Sequence, residues 1–230
     1  DIIDIIAMRP ATSWFIAGKL YNYFVSDTPN EEATAFLAEE YRKSGGDIRS
    51  MLRALFLSEF FKSEDVWYAR VKSPAELVVG TARLAGSYQT PDSGIINLAN
   101  DANFMGQELL NPPTVEGWHT GTEWVDTGTL VERVNSSTLV IGDTLQPGIQ
   151  AMIQHLKDRQ DSYQAAELVE ECLLLSGGLQ VSDGTRQRLV EFAANFGEVS
   201  FTPDDAASCS EQQVVELLQL ILATREYQLA

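Results

Sequence analysis

Residues 73–86, "SPAELVVGTARLAG", read as a complete helix with both ends marked. Ser73 precedes Pro74, and Glu76 stands three residues after Ser73. That is the capping-box spacing, in which the serine hydroxyl and the glutamate carboxylate satisfy each other's open backbone N–H groups. Gly86 is expected to end the helix. The same grammar recurs outward along the chain. In "GDIRSMLRALFLSEFF" (46–61) Asp47 is the expected N-cap, and Ile48, Met51, Leu52, Leu55 and Phe56 follow it. In "TPNEEATAFLAEEYRKSGG" (28–46) Thr28 or Pro29 is expected to open a helix. Glu31 and Glu32 suit its positive end, Arg42 and Lys43 its negative end, and Gly45–Gly46 its stop.

"SWFIAGKLYNYFV" (13–25) puts Trp14, Phe15, Ala17, Gly18, Tyr21, Phe24 and Val25 on one expected apolar face, with Pro10 just inside the start. Further helices are expected over 94–110, from 127 or 129 to 142, and near 147–158, 163–175, 183–196 and 211–224. No sustained period-two run of β-branched residues appears. The fold class is therefore all-α: a multi-helix array or bundle with short loops and one long Pro/Gly/Trp-rich loop near 111–126. Two regions are expected, a helical region at 1–141 and a more acidic helical subdomain at 142–230. One echo links them. "LRALFLSEFF" (52–61) and "LQLILATREY" (218–227) both run apolar helix, then Ser or Thr, then an acid and an aromatic. Such a pattern predicts a helix that stops while an aromatic folds back on it.

Composition narrows the function. The 230 residues are 44% hydrophobic and 21% charged, a globular balance that can bury a core. The formal net charge is −17. Phosphate binding needs clustered Lys and Arg, so nucleic acid is not an expected partner, and neither is an anionic membrane surface. No run reaches the ~18 apolar residues of a membrane span, so none is expected. "DIIDIIAMRP" (1–10) lacks the basic n-region of a signal peptide.

Cys172 and Cys209 belong to no CxxC; they stand either as separate thiols or as a disulfide, which would fit an exported protein. With two histidines, His119 and His155, no zinc set can be assembled, and neither a metal nor a cofactor is expected. His155 reads as a surface position on a helix. Asp204–Asp205 and Glu123/Asp126 are carboxylates of the kind calcium uses, without an EF-hand pattern. Arg70 and Lys72 in "RVKSP" (70–74) are expected to ion-pair with the abundant acids.

The stretch "NPPTVEGWHTGTEWVD" (111–126) gathers the candidate binding residues: Glu116, Trp118, His119, Glu123, Trp124 and Asp126. Asn111 before Pro112–Pro113 is held extended, while Gly117 and Gly121 permit turns. Two readings make opposite demands. A packing role buries Trp118 and Trp124, since indoles carry large apolar area. A catalytic role converges Trp118, His119, Glu123 and Asp126 on an open pocket with a shifted pKa. Acids beside tryptophans also suit a glycan or peptide contact surface.

Several phrases in order resemble the bacterial family DUF1800: "DIIDII" (1–6), "RPATSWFIAGKLYNYFV" (9–25), "SGGDIRSMLRALFLSEFF" (44–61), "RVKSPAELVVGTARLAG" (70–86) and "MGQELLNPPTVEGWHTGTEWVDTGTLVERVN" (105–135), with a weaker echo in "LLQLILATREYQ" (217–228). The resemblance covers residues 1 to about 140. It implies a longer, exported protein, periplasmic or extracellular, of which this chain is the C-terminal portion. The His- and Asn/Glu-rich motifs of the family's N-terminal half are not in it. Relatives commonly have Gly-Trp-Pro where this chain has Gly-Trp-His119, which argues against catalysis by His119. The expected role is a structural or binding helical module that packs against that N-terminal half and contacts an envelope or extracellular protein or glycan. The alternative is part of a hydrolase acting on envelope or extracellular carbohydrate or sulfated material, its catalytic groups lying mostly in the N-terminal half.

Overall fold

A computed structural model describes residues 1–90, 92–201 and 207–230, the side chains of 207–209 excepted. The chain is 67% helical, with a single two-residue strand pair among the described residues. The all-α expectation holds. The chain forms two compact units, residues 1–71 with Ala230, and residues 72–229. That boundary falls just before the capping box of 73–76; position 141/142, the boundary expected from charge and composition, is the end of one helix of the second unit.

The first unit holds α1 (Ile2–Ala7), α2 (Pro10–Phe24), α3 (Glu31–Ser44), α4 (Ile48–Leu57) and the single turn α5 (Glu59–Lys62). Pro10 opens α2, where its missing N–H costs nothing. Asn30, not Thr28 or Pro29, caps α3: its side chain accepts the Ala33 N–H at 2.9 Å. Pro29 has no side-chain acceptor and Thr28 stands too far from the first turn, so the third residue of the TPN run takes the role. Gly45 ends α3 at φ 68°. Asp47 caps α4 as expected, through Ser50 N–H at 3.0 Å. The core joins Ala17 and Tyr21 of α2, Leu37 and Tyr41 of α3, and Met51 and Leu55 of α4. On α2 the buried stripe is Ser13, Ala17 and Tyr21. Trp14 and Phe15 lie outside it, exposed, because the stripe is one residue wide and small where α2 meets α3.

The second unit holds α6 (Pro74–Ala85), α7 (Ile96–Phe104), α8 (Thr127–Gly142), α9 (Pro147–Arg159), α10 (Ala165–Leu175), α11 (Asp183–Ala194) and α12 (Ala207–Leu222). The capping box is present in full: Ser73 N–H donates to Glu76 at 2.7 Å and Glu76 N–H to Ser73 Oγ at 3.3 Å. α12 is the central element. Val214, Val215, Leu217, Leu218, Ile221 and Leu222 are all buried, and the helix packs on α8, α9, α10 and α11. A helix apolar around most of its girth must be enclosed. β1 (Ser162–Tyr163) pairs antiparallel with β2 (Val199–Ser200), so α10 starts at Ala165, two residues after its expected start. Gly148 lets α9 approach α6, since a Cβ there would collide with the Leu84 carbonyl oxygen.

The 52–61 and 218–227 echo has a shared geometry. Ser58 Oγ donates to Leu55 O at 2.6 Å, and Thr224 Oγ1 to Ile221 O at 2.7 Å. Each hydroxyl ends its helix by taking a carbonyl three residues back. A short turn comes next, and Phe60 or Tyr227 packs inward.

Candidate functional site

α7 stops at Phe104, six residues earlier than its apolar period suggests. Gly106 at φ 93° turns the chain out, and Gln107 N–H returns to Ala102 O at 2.8 Å. The Gln107 side chain then accepts the Ala75 N–H at 2.8 Å, one of the open donors in the first turn of α6. Glu108 anchors the next ten residues. Its carbonyl accepts the Trp118 indole N–H at 3.0 Å and the Asn111 N–H at 3.2 Å, and its carboxylate accepts Asn111 Nδ2 at 2.8 Å. Thr114 and Gly117 form a bridge, with Gly117 at φ 109°. The 108–118 excursion is thus closed on itself. Leu110 holds φ 65° with its side chain in solvent.

The chain re-enters the second unit through a 3-10 turn, Gly121–Trp124. Trp124 is buried. Its carbonyl accepts Thr129 Oγ1 at 2.9 Å, and Asp126 caps α8 by accepting the Gly128 and Thr129 N–H groups at 2.8 and 2.9 Å. Those two bonds, that from Thr129 first, hold the Asp126 carboxyl below the usual carboxylate range.

The candidate residues therefore separate by role. Trp124 is an anchor, and Trp118 is a half-buried clasp. His119 Nδ1 and Glu123 Oε2 meet at 2.8 Å, both exposed. Asp126 is spent on the cap. Glu116 is exposed, its backbone N–H donated to Thr114 Oγ1 at 3.2 Å. The loop brings together one His–Glu pair, and the remaining acids face other tasks. Among the described residues no group of three or more His, Cys, Asp or Glu is placed to hold a metal ion. His155 is an exposed helix position, as expected. Cys172 is fully buried on α10, and burial pushes its thiol up to about 12. The side chain of Cys209, and with it any pairing to Cys172, lies outside the described residues, as do Asp204 and Asp205.

A second polar cluster lies inside the second unit, where the sequence gives no local signal. Arg133 of α8 is 0% exposed. Its Nε donates to Gln228 Oε1 at 3.0 Å and its Nη2 to the Lys72 carbonyl at 2.8 Å, while Nη1 has no partner. Lys72 Nζ donates to the Tyr227 carbonyl at 2.7 Å and sits 4.2 Å from the centre of the Tyr227 ring. Tyr227 Oη meets Thr81 Oγ1 at 3.0 Å. Lys72, expected to ion-pair, also engages neutral partners, the carbonyl and ring of Tyr227, and the Glu76 carboxylate acts on both cations. The backbone after residue 71 turns the Lys72 stem inward along Tyr227, away from the acidic surface. Desolvation, then the Arg133 charge, lowers Lys72 to about 8, and desolvation lowers Arg133 to about 10. These partners stand 61 to 155 residues apart in sequence, so only the fold reveals them.

No curated protein and no solved structure matches this chain. One family model does, described as "Protein of unknown function (DUF1800)", and it spans residues 1–229. The match thus runs through α9–α12, well past the 105–135 stretch that carries most of the resemblance, and the chain belongs to the DUF1800 family.

Proposed function

We propose that this chain is a structural, binding module of an exported bacterial protein, and that it docks an apolar partner segment along α1 and α2. One observation carries the reading. Four of the six α1 residues are isoleucines, yet none is buried, and Ile2 and Ile3 are 74% and 72% exposed. Met8, Trp14, Phe15 and Tyr23 extend the apolar surface. Monomers rarely leave more than a few hundred Å² of contiguous apolar surface open, and larger patches mark interaction sites. α1 is nonetheless held in place: Tyr41 Oη donates to Ala7 O at 3.0 Å and Thr12 Oγ1 to Ile6 O at 2.6 Å. A fixed helix that exposes isoleucines is built to be covered.

In this reading the partner is the N-terminal half that the family resemblance implies, with an envelope or extracellular protein or glycan as a further contact. The test is calorimetric titration of the separately expressed N-terminal half into this chain. Binding is expected, and Ile3→Glu with Ile6→Glu should weaken it more than tenfold while leaving the helical circular dichroism unchanged. Equal binding by wild type and the double variant would remove α1 from the interface. A second reading, part of a hydrolase, is favoured by the His119–Glu123 pair alone, since a carboxylate-oriented imidazole is a general-base arrangement.

A further inference from the structure

Leu110 holds a strained conformation with no packing to explain it. At φ 65° it stands in the left-handed region, where a Cβ crowds the backbone. Such a residue persists where packing or function requires it. Packing does not: Leu110 is 96% exposed, and Val115 is fully exposed. The loop that carries them is nonetheless fixed. The Trp118 indole N–H donates to Glu108 O at 3.0 Å, Thr114 pairs with Gly117, and Pro112–Pro113 stiffens the tip. Two aliphatic side chains are thus held out into water on a closed frame. The frame is acidic. Glu108 and Glu116 are both exposed, and between Arg83 and Arg133 the sequence has seven acids and no Lys or Arg. A surface complementary to this loop is apolar and carries cations at its edge.

α4 presents such a surface. Met51 and Leu55 face the core of the first unit. Arg49, Arg53 and Phe56, at helical spacing, lie on the opposite side and are exposed, with Leu57 beside them. The Phe56 ring is held edge-to-face by Phe24 and Phe61, at centroid distances of 5.3 and 4.9 Å. α4 contains two arginines and no acid, and among the described residues neither arginine is in an ion pair. Asp47, two residues before Arg49, is taken by the Ser50 N–H at 3.0 Å and the Ser50 hydroxyl at 2.6 Å. In a chain with 33 acids and 16 bases, an open arginine pair beside a phenylalanine matches the 108–118 loop in charge and in polarity.

We infer that two copies of this chain associate head to tail, the 108–118 loop of one copy seated on the outer face of α4 of the other. Leu110 and Val115 cover Phe56 and Leu57, while Glu108 and Glu116 meet Arg49 and Arg53. The two surfaces differ and each copy has one of each, so the contact is heterologous. The formal charge of −17 opposes assembly at long range, and at ~0.15 M salt screening confines that repulsion to about 8 Å. Association is therefore weak and belongs to high protein concentration.

The experiment is sedimentation velocity of the 230-residue chain at neutral pH and ~0.15 M salt, from micromolar to millimolar protein. The weight-average mass should rise with concentration. Leu110→Asn with Val115→Asn removes the apolar tip, and asparagine suits the left-handed position better than leucine does. Arg49→Glu with Arg53→Glu reverses the charge of α4. Each double variant should need at least tenfold more protein for the same association, with its helical circular dichroism unchanged. An equimolar mixture of the two variants tests the geometry. One contributes an intact α4 and the other an intact loop, so association should return and stop at the dimer. A wild-type chain that stays monomeric at millimolar concentration, association that survives either pair of substitutions, or a mixture that stays monomeric would overturn the inference. Self-association through the exposed isoleucines of α1 gives the second of these outcomes, so this contact stands or falls separately from the docking role of α1.

Discussion

The two units solve the problem of charge and apolar surface in opposite ways. Residues 1–71 carry 11 acids and 8 bases, while residues 72–229 carry 22 acids and 8 bases. The first unit is therefore near neutral and the second holds most of the −17. Among the described residues, 14 large apolar side chains are exposed in the first unit against 12 in the second, which is more than twice as long. The interiors reverse the contrast. The first unit buries only serines among its polar side chains, Ser13 and Ser26. The second encloses Arg133, Gln228 and Thr81 as well. The first unit is finished inside and open outside. The second is shielded outside by charge and unfinished inside, at Arg133.

The largest way to break this comparison is to damage each interior separately. Leu37 and Leu218 are fully or almost fully buried in the first and second unit. Truncation of a buried leucine costs about 3 kcal/mol through lost transfer energy and the cavity left behind. Leu37→Ala is expected to lower the unfolding transition of the first unit alone, and Leu218→Ala that of the second. Scanning calorimetry of both variants checks this. If each substitution moves one common transition, the units share a single cooperative core and the contrast between them is one of surface only.

A subtler test titrates the unfinished interior. Lys72 has a folded pKa of about 8, below its ordinary 10.5, because burial and the Arg133 charge oppose the ammonium. Between those values the unfolded chain binds more protons than the folded one, so stability rises with pH across the window. Below pH 8 both states are protonated and the penalty is fully present. Partial exposure screens the effect, leaving about 1 kcal/mol. Cys172, whose thiol burial pushes up to about 12, works in the other direction from about pH 9 upward, and Tyr227, whose pKa burial also raises, from about pH 10, so the Lys72 effect is read as a difference from a variant that keeps both groups. Chemical denaturation at pH 8, 9 and 10 should show wild type gaining on Lys72→Met, whose own profile should fall above about pH 9 through the buried Cys172 thiol. Parallel profiles would mean that Lys72 is solvated and that no charge problem exists at Arg133.

The fold was legible in proportion to how local its signals are. Ser73 with Glu76, Asp47, Gly45 and Gly86 each act within one helical turn, and each does what its spacing implies. Errors arose where tertiary packing chose between locally equal options. α7 has apolar residues enough to continue to 110, but Gly106 and the clasp on Glu108 take the chain elsewhere. On α2, Trp14 and Phe15 fit a helical stripe, yet the packed stripe runs through Ser13 and Ala17, where small side chains let α3 approach. The candidate loop was legible as a rigid connector, from its prolines, glycines and tryptophans. The Arg133 cluster was not. Its members are scattered over Lys72, Thr81, Tyr227 and Gln228, and an arginine in "LVERVNSS" carries no mark of burial.

The smallest expected effect concerns His119, and it bears on whether the 108–126 loop belongs with the packing of the second unit or with chemistry. His119 and Glu123 meet at 2.8 Å in full view of solvent. An exposed pair of this kind contributes little, and His119→Ala should change stability by no more than about 0.5 kcal/mol. Trp124, buried and braced through Thr129, is the opposite case within the same loop: its truncation should cost about 3 kcal/mol. Equilibrium denaturation of the two variants ranks them directly. A loop that only connects and anchors predicts this order and predicts that any hydrolytic activity survives when His119 is replaced. Loss of such activity in His119→Ala, with stability unchanged, would move the His–Glu pair from ornament of a connector to general base, and it would put the chemistry in the charged second unit.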